Sequence, residues 1–249
     1  MTAPWSSVRG IEPMSLCDWP GKTACVLFMG GCNLRCPTCH NAELAWRPDW
    51  FSPLPRESVE RFLTSRHAWL DGIVISGGEP TLVPGLDDLL RDLKSFNLPI
   101  KIDSNGMQPK VLERLLKQDL IQAAFVDIKG PFAKYPQLTG THMDPKRAEA
   151  SLNRIFDLAN TYPGVFVFRQ TRVPALTDMD VEESRSYLPQ GYSLKMQTFV
   201  PPRRQNAEAD SEAGRLSGNV VAGPDRAGHS QSAQSQWGQG PDLGKAVGA

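Results

Sequence analysis

The sequence predicts an α/β protein built around a parallel β-sheet. Two observations predict it: short, almost continuously apolar runs recur along the chain, and stretches with apolar residues at helical spacing separate them. Strands that are buried on both faces carry such continuous runs, whereas a strand with one solvated face alternates apolar and polar residues. Six strand–helix units are too few for an eight-stranded barrel, so we expect a partial (β/α)6 TIM-like barrel or a doubly wound sheet.

The predicted strands are short and rich in β-branched and aromatic residues. In chain order they cover residues 23–29, 72–76, 100–103, 123–128, 165–171 and 193–199. The predicted helices carry apolar residues three and four positions apart, as in Leu86, Leu89 and Leu93. They cover residues 57–70, 84–96, 111–116, 146–159 and 178–187.

Composition divides the chain near residue 204. Residues 1–204 contain all the predicted elements, whereas residues 205–249 are rich in Gly, Ser, Gln and Ala. Six strongly apolar residues among those 45 cannot offset the conformational entropy that is lost when a chain becomes ordered. We therefore predict one folded domain, 1–204, followed by a disordered tail, 205–249.

Charge and hydropathy argue against two classes of protein. Lys plus Arg and Asp plus Glu both total 27, so the formal net charge is 27 − 27 = 0. A general nucleic-acid binder carries a positive excess that this chain lacks. The longest strongly apolar run, around residues 25–29, is far shorter than the about 20 residues that span a bilayer. The first residues also lack the basic flank and apolar stretch of a secretory signal, so we expect a cytoplasmic protein that binds neither nucleic acid nor membrane.

All the cysteines lie early in the chain, at Cys17, Cys25, Cys32, Cys36 and Cys39. A disulfide framework would spread over the fold, so clustered thiols indicate a metal site. The last three cysteines form a C-x3-C-x2-C motif, and three thiolates suit a [4Fe–4S] cluster that leaves one iron open. The alternative is a zinc ion with His40 as the fourth ligand, although adjacent residues such as Cys39 and His40 rarely both reach one metal.

Glycine-rich and charged segments follow the predicted strands. The first strand leads into the cysteine motif, and the later strands end in Gly77-Gly78-Glu79-Pro80, Asp103-Ser104-Asn105-Gly106 and Asp127-Ile128-Lys129, while the fifth carries Arg169. In a parallel α/β fold, ligands bind at the carboxyl ends of the strands. We therefore expect these segments to converge at one rim of the sheet.

Taken together, these motifs resemble the radical SAM superfamily over about residues 10–200. The resemblance implies a partial barrel of the radical SAM type, with a [4Fe–4S] cluster on Cys32, Cys36 and Cys39. The fourth iron would be chelated by the amino and carboxylate groups of S-adenosylmethionine (SAM). The resemblance also implies SAM contacts at Gly77, Gly78, Glu79, Ser104 and Asn105, since glycines let a backbone approach a ligand and a carboxylate suits an ammonium group.

A narrower resemblance is to the glycyl-radical-enzyme activases, which share the D-[ST]-N-G and D-[LI]-K segments. It implies that Asp127, Lys129 and Arg169 belong to the SAM site, where Lys129 and Arg169 face the carboxylate and ribose region of SAM. It also implies that Asp103, Ser104 and Asp127 frame a monovalent cation, because clustered carboxylates at one rim need a positive charge. Residues 15–23 and the Cys-x-x-Cys-His-Asn ending are similar to activating proteins of the anaerobic ribonucleoside-triphosphate reductase.

One residue departs from the family pattern, and one spacing limits the number of clusters that we expect. Thr38 stands where the family often has an aromatic residue that packs on the adenine side. Only 37 residues separate Cys39 from Gly77, and none of them is Cys, so we expect a single cluster.

We therefore expect an activase that takes an electron from a flavodoxin-like or other donor, cleaves SAM reductively and generates a glycyl radical on a partner enzyme. The expected partner is the anaerobic ribonucleoside-triphosphate reductase, and no catalytic side chain is expected beyond the cluster and SAM. One alternative is an activase of another glycyl radical enzyme, such as pyruvate formate-lyase. Others are a radical SAM enzyme that acts on a small molecule or peptide, and a zinc-binding or degenerate module without activity.

Overall fold

The computed structural model describes residues 4–140 and 142–202, which contain a seven-stranded β-sheet. The strands are β1 (Val8–Ser15), β2 (Ala24–Met29), β3 (Gly72–Gly77), β4 (Ile100–Ser104), β5 (Ala123–Asp127), β6 (Phe166–Arg172) and β7 (Leu194–Thr198). The predicted domain boundary at residue 204 and the predicted disordered tail, 205–249, lie outside the described residues.

The strands lie side by side in chain order, from β1 to β7. Strands β2 to β7 are all parallel to their neighbours. A doubly wound sheet would reverse its strand order at a switch point, and the seven strands of the described residues show no reversal. The predicted α/β fold is thus confirmed, and of its two forms the structure is the partial barrel. Within the described residues β1 and β7 do not pair with each other, so the barrel is open between them.

Strand β1 is absent from the predicted elements. It pairs antiparallel with β2 at the edge of the sheet, and its register shifts beside Gly10 and again between Glu12 and Ser15. Gly10, Glu12 and Pro13 are residue types that weaken a strand pattern, and Pro is tolerated on an edge strand. The irregular register bends this edge, which is a common way to protect an edge strand from pairing with other chains.

The described chain has seven α-helices, and the longer ones, from residue 56 to residue 161, contribute buried residues to the core on the outer face of the sheet. The seven helices are α1 (Ala42–Trp46), α2 (Arg56–Arg66), α3 (Leu86–Lys94), α4 (Pro109–Lys117), α5 (Tyr135–Thr139), α6 (Pro145–Thr161) and α7 (Asp178–Ser186). Helices α2, α3, α4, α6 and α7 correspond to the five predicted helices, whereas α1 and α5 are too short to show a helical period. Among the helices of residues 4–140 and 142–202, none combines the length and the apolar character that a membrane span requires.

A smaller core lies on the inner face of the sheet. Ala24, Val26, Val74 and Phe125 cluster there with Trp19 from the loop between β1 and β2. At Gly72, the first residue of β3, a Cβ atom would lie 2.7 Å from the Trp19 ring. Trp19 therefore closes the inner face near the amino ends of the parallel strands and leaves their carboxyl ends open for a site.

Candidate functional site

A cavity of about 370 Å³ lies at the carboxyl ends of the parallel strands. The structure brings all the predicted site residues into its lining: the three motif cysteines Cys32, Cys36 and Cys39, and also Gly77, Gly78, Glu79, Asp103, Ser104, Asn105, Asp127, Lys129 and Arg169. Thr38 and His40 line the same cavity. The placement agrees with the expected convergence at one rim, whereas the role of each residue stays a prediction.

The cysteine loop, residues 30–41, runs from β2 to α1 and is anchored at several points. Leu34 is buried in the main core, and the Arg35 backbone N–H donates to the Thr139 carbonyl at 2.8 Å. At the end of the loop, Asn41 Nδ2 donates to the Gly77 carbonyl at 3.1 Å. These contacts fix the loop against α5 and β3, so the three thiols stand on an ordered turn.

Burial raises the pKa of each motif thiol, and the nearby Lys129 ammonium opposes that rise. A thiol must lose its proton to bind a metal, so a cation beside the three sulfurs favours binding. Within residues 4–140 and 142–202, no three His, Cys, Asp or Glu side chains stand together as the ligands of one metal ion. Three cysteines that hold a [4Fe–4S] cluster each bind a different iron, so their sulfurs do not need to converge on one point. His40, the fourth ligand of the zinc alternative, forms a hydrogen bond through Nε2 to the Val200 carbonyl.

Gly77 is the last residue of β3, and Gly78 follows it directly against the cysteine loop. The Gly78 N–H donates to the Met29 carbonyl and the Glu79 N–H donates to the Gly31 carbonyl, both at 2.8 Å. A Cβ atom at Gly78 would lie 1.9 Å from the Gly31 oxygen, and Gly77 has a positive φ of 105°. These glycines are thus needed for close backbone packing within the protein. The sequence suggested a different reason for these glycines, namely that they let the backbone approach a ligand, and this stays a prediction.

The Glu79 carboxylate is buried, with 1% of the residue exposed. Its Oε1 accepts hydrogen bonds from Thr81 N (3.2 Å), the Thr81 hydroxyl and Ser104 Oγ (2.9 Å), and its Oε2 accepts one from Asn105 N (2.7 Å). Burial raises the pKa of Glu79, and these hydrogen bonds oppose the rise. Because a carboxylate oxygen accepts about two hydrogen bonds, Oε2 is the atom with capacity for a further donor.

Ser104 and Asn105 connect the end of β4 to the other loops of the cavity. Ser104 Oγ, which donates to Glu79, also accepts from the Gly106 N–H at 3.0 Å. Asn105 Nδ2 donates to Asn33 Oδ1 at 2.8 Å, across 72 residues of sequence. Both side chains hold the cavity walls in place, and their predicted contact with a ribose is a separate role that these bonds do not test.

Five charged side chains form a continuous network along β4, β5 and β6. Lys101 Nζ lies 2.5 Å from Asp103 Oδ1, and Arg169 Nη2 lies 3.2 Å from the same oxygen. Arg169 Nη2 is also 3.0 Å from Asp127 Oδ1, and Lys129 Nζ is 3.1 Å from Asp127 Oδ2. The charges alternate in sign along the network. The ion pairs with Lys129 and Arg169 hold the pKa of Asp127 below its usual range, although burial acts in the opposite direction.

Asp103, Ser104 and Asp127 do not fit the expected monovalent cation. Both carboxylates already contact side-chain cations, and the Ser104 hydroxyl bonds to Glu79. The expected cation therefore gains no support from the structure, and no step below involves one.

Lys101 and Asp18 belong to this site but are absent from the sequence predictions. Lys101 has one signal in the sequence, a lone lysine between Ile100 and Ile102 in an apolar strand. Asp18 has no such signal, because it reaches the cavity lining from the loop between β1 and β2. Tyr135 is a further buried neighbour, whose hydroxyl accepts a hydrogen bond from the Lys129 N–H at 3.2 Å.

Comparison with known sequences gives one family match and several relatives. Residues 26–188 match the Radical SAM superfamily. A protein of Methanocaldococcus jannaschii, named as a glycyl-radical enzyme activating enzyme, is 33% identical over 196 residues, which cover 78% of this chain and 80% of that protein. The pyruvate formate-lyase-activating enzyme of Clostridium pasteurianum is 34% identical over 128 residues, which cover 49% of this chain and 52% of that enzyme. A 7-carboxy-7-deazaguanine synthase of Hyperthermus butylicus is 31% identical over 106 residues, 42% of each chain.

Solved structures with a similar fold include Streptococcus suis SuiB bound to the precursor peptide SuiA. The TM-score is 0.50 at 18% identity, and the match covers 76% of this chain and 46% of SuiB. The anSMEcpe structure with bound AdoMet and Cp18Cys peptide also gives a TM-score of 0.50 at 18% identity, and covers 71% of this chain and 50% of that one. At such identities the likeness concerns the fold alone. The family match over residues 26–188 and the relative that is 33% identical over most of both chains establish that this chain belongs to the radical SAM superfamily.

Proposed function

We propose that this protein is a glycyl-radical-enzyme activase that binds a [4Fe–4S] cluster and SAM. One observation carries the proposal: Cys32, Cys36 and Cys39 line a single cavity together with Glu79 and Lys129 at the open end of a partial barrel. The relative named as a glycyl-radical enzyme activating enzyme supports the same activity. Cys32, Cys36 and Cys39 would hold the cluster, which when reduced would supply the electron for reductive cleavage of SAM and so for hydrogen-atom removal from a glycine Cα of the partner.

The charges of the cavity suit the zwitterionic end of SAM. Glu79 Oε2 has capacity for a further donor, so it can accept a hydrogen bond from the ammonium group. Lys129 and Arg169 are cations on the same wall and can face the carboxylate. Three cysteine ligands leave one iron free for this amino-acid group, which is why a fourth protein ligand would be a disadvantage.

The open side of the barrel supports a protein substrate. Strands β1 and β7 do not pair with each other in the described chain, and four of the five residues of β7 are exposed. Gln197, on β7, also lines the cavity. A loop of a partner protein could enter between these edges and bring a backbone Cα–H to the reacting centre. Positioning is the main requirement, because a radical reacts with the first suitable C–H bond that it meets.

For the partner we propose the anaerobic ribonucleoside-triphosphate reductase, on the basis of residues 15–23 and of His40 and Asn41 after the last motif cysteine. A flavodoxin-like protein or another donor would supply the electron. Pyruvate formate-lyase is the second candidate partner, because two pyruvate formate-lyase-activating enzymes from different genera are 34% and 30% identical over about half of this chain. A radical SAM enzyme that acts on a small molecule is the competing function, favoured by the similarity to a 7-carboxy-7-deazaguanine synthase.

The experiment combines anaerobic, iron-reconstituted and reduced protein with SAM and, separately, with each of the two candidate partners. Electron paramagnetic resonance should detect a glycyl radical on one partner. Cys36→Ala should abolish that signal, whereas Cys17→Ala, which changes an exposed cysteine of the loop between β1 and β2, should keep it. If neither partner acquires a radical while a small metabolite is turned over with SAM, the activase proposal is wrong and the competing function is favoured.

A further inference from the structure

Lys101 is a lysine whose side chain is completely buried, with 0% of it exposed. It lies on the inner face of β4, because Ile100 and Ile102 on either side of it belong to the core on the outer face. Lysine is almost never fully buried unless its charge is paired. The site must therefore supply a partner, and that partner is Asp103, two residues later on the same face.

The charges around Lys101 balance without any added ion. In the network and beside it, three carboxylates, Asp18, Asp103 and Asp127, face three side-chain cations, Lys101, Arg169 and Lys129. Glu79, the other carboxylate of the cavity lining, bonds to Thr81, Ser104 and Asn105 and is not part of this group. A bound Na⁺ or K⁺ would give this group an uncompensated positive charge. Without the Lys101 ammonium the same group would carry one excess negative charge, which is the condition that favours a bound monovalent cation.

The geometry of Lys101 is that of a bridging cation. Its Nζ and Arg169 Nη2 both contact Asp103 Oδ1, at 2.5 and 3.2 Å. The same ammonium lies 4.1 Å from the centre of the Phe125 ring, whose face attracts a cation. An ammonium and an alkali-metal ion carry the same charge, but the ammonium is covalently attached and its binding does not depend on the ion concentration.

We propose that the Lys101 ammonium is the built-in monovalent cation of this site and pairs with Asp103, one of the three residues that the sequence led us to expect around a metal ion. Lys101 is then a positioning residue. The Lys101 ammonium fixes the Asp103 carboxylate. Asp103 and Asp127 both pair with Arg169, and Asp127 also pairs with Lys129. The counter-ion role of Lys101 concerns the protein alone. Its consequence, that Arg169 and Lys129 are held where they can face the SAM carboxylate, rests on the proposed function.

The test uses the full chain without cluster or SAM, so that its outcome is independent of the proposed function. The melting temperature is measured in chloride salts of Na⁺, K⁺ and tetramethylammonium at equal ionic strength. The variant is Lys101→Ala, which leaves room for an ion. The matched control is Lys117→Ala, which removes an exposed lysine that pairs with Glu113 one helical turn away.

We expect the melting temperature of the wild type to be the same in all three salts, and we expect the same independence of the salt for Lys117→Ala. Lys101→Ala should melt on the order of 10 °C lower in tetramethylammonium chloride, and Na⁺ or K⁺ should restore part of that loss in a saturable way. A lysine that only fills space would not give rescue that distinguishes Na⁺ or K⁺ from tetramethylammonium. Loss of stability without such rescue would overturn the proposal.

A second measurement decides the matter if Lys101→Ala fails to fold. The measurement is sodium-23 NMR of the wild type, in which a bound Na⁺ broadens the sodium line and K⁺ reverses the broadening by displacing it. We expect no such reversible broadening, because the site already holds its cation. Saturable broadening that K⁺ displaces would mean that the wild-type site binds a metal ion, and the proposal would be wrong.

Discussion

Single residues decide whether the loops of the cavity can meet. Gly78 allows the end of β3 to touch the backbone at Gly31, and Asn105 ties the end of β4 to Asn33. Which residues gather at the cavity could be predicted, because each follows or belongs to a recognisable strand. The contacts among them could not be predicted, because Gly31 and Gly78, or Asp103 and Arg169, are far apart in the chain and no local pattern links them.

Gly78→Ala should disrupt the junction between β3 and the cysteine loop. The new Cβ would lie 1.9 Å from a backbone oxygen, so the backbone itself must move, and we expect a loss of about 3 kcal/mol in the free energy of unfolding. Urea unfolding of the cluster-free protein measures this loss. The control is Gly10→Ala, where the nearest atom would be at an ordinary 3.8 Å. Equal stability of the two variants would contradict the described packing.

The cysteines outside the motif should differ strongly in reactivity. Cys25 is fully buried, and burial raises its pKa to about 12, whereas Cys17 is exposed. Since the thiolate is the reactive form, Cys17 should be alkylated by iodoacetamide at pH 8 long before Cys25. Mass spectrometry of timed digests measures both rates. Rapid alkylation of Cys25 in the folded protein would mean that β2 is not buried as described.

Among the secondary-structure elements, those with a clear apolar run or a clear helical period in the sequence were the most predictable. Six parallel strands and five helices appear where continuous apolar runs and helical spacing place them. Strand β1 was not predicted because it is an irregular edge strand, and α1 and α5 have only five residues each. These elements depend on contacts with the rest of the fold, which a local pattern does not contain.

The start of α7 offers a test of one element. The Thr177 hydroxyl accepts from the Asp180 N–H at 3.2 Å, and Asp180 Oδ2 accepts from the Thr177 N–H at 2.7 Å, which forms a capping box. Thr177→Ala should therefore lower the free energy of unfolding by about 1 kcal/mol. Thr64→Ala, an exposed change inside α2, should leave it unchanged or slightly higher. Equal urea midpoints for the wild type and Thr177→Ala would show that this cap does not stabilise the protein.

At the scale of the molecule, the fold separates a closed end from an open one. Trp19 covers the inner face near the amino ends of the strands, and the cavity lies at their carboxyl ends, where ligands bind in parallel α/β folds. The open edge between β1 and β7 adds access from the side. The proposed function requires a site that admits both a small cofactor and a protein loop, and these two openings are compatible with that requirement.

The central claim is that three cysteines hold a [4Fe–4S] cluster whose fourth iron is free to bind SAM. The most direct test is electron paramagnetic resonance of the reduced, reconstituted protein, recorded with and without SAM that carries ¹⁷O in its carboxylate. We predict that SAM changes the cluster spectrum and that the label produces a hyperfine coupling. A spectrum that saturating SAM leaves unchanged, or purified protein that holds zinc without iron and sulfide, would contradict the claim.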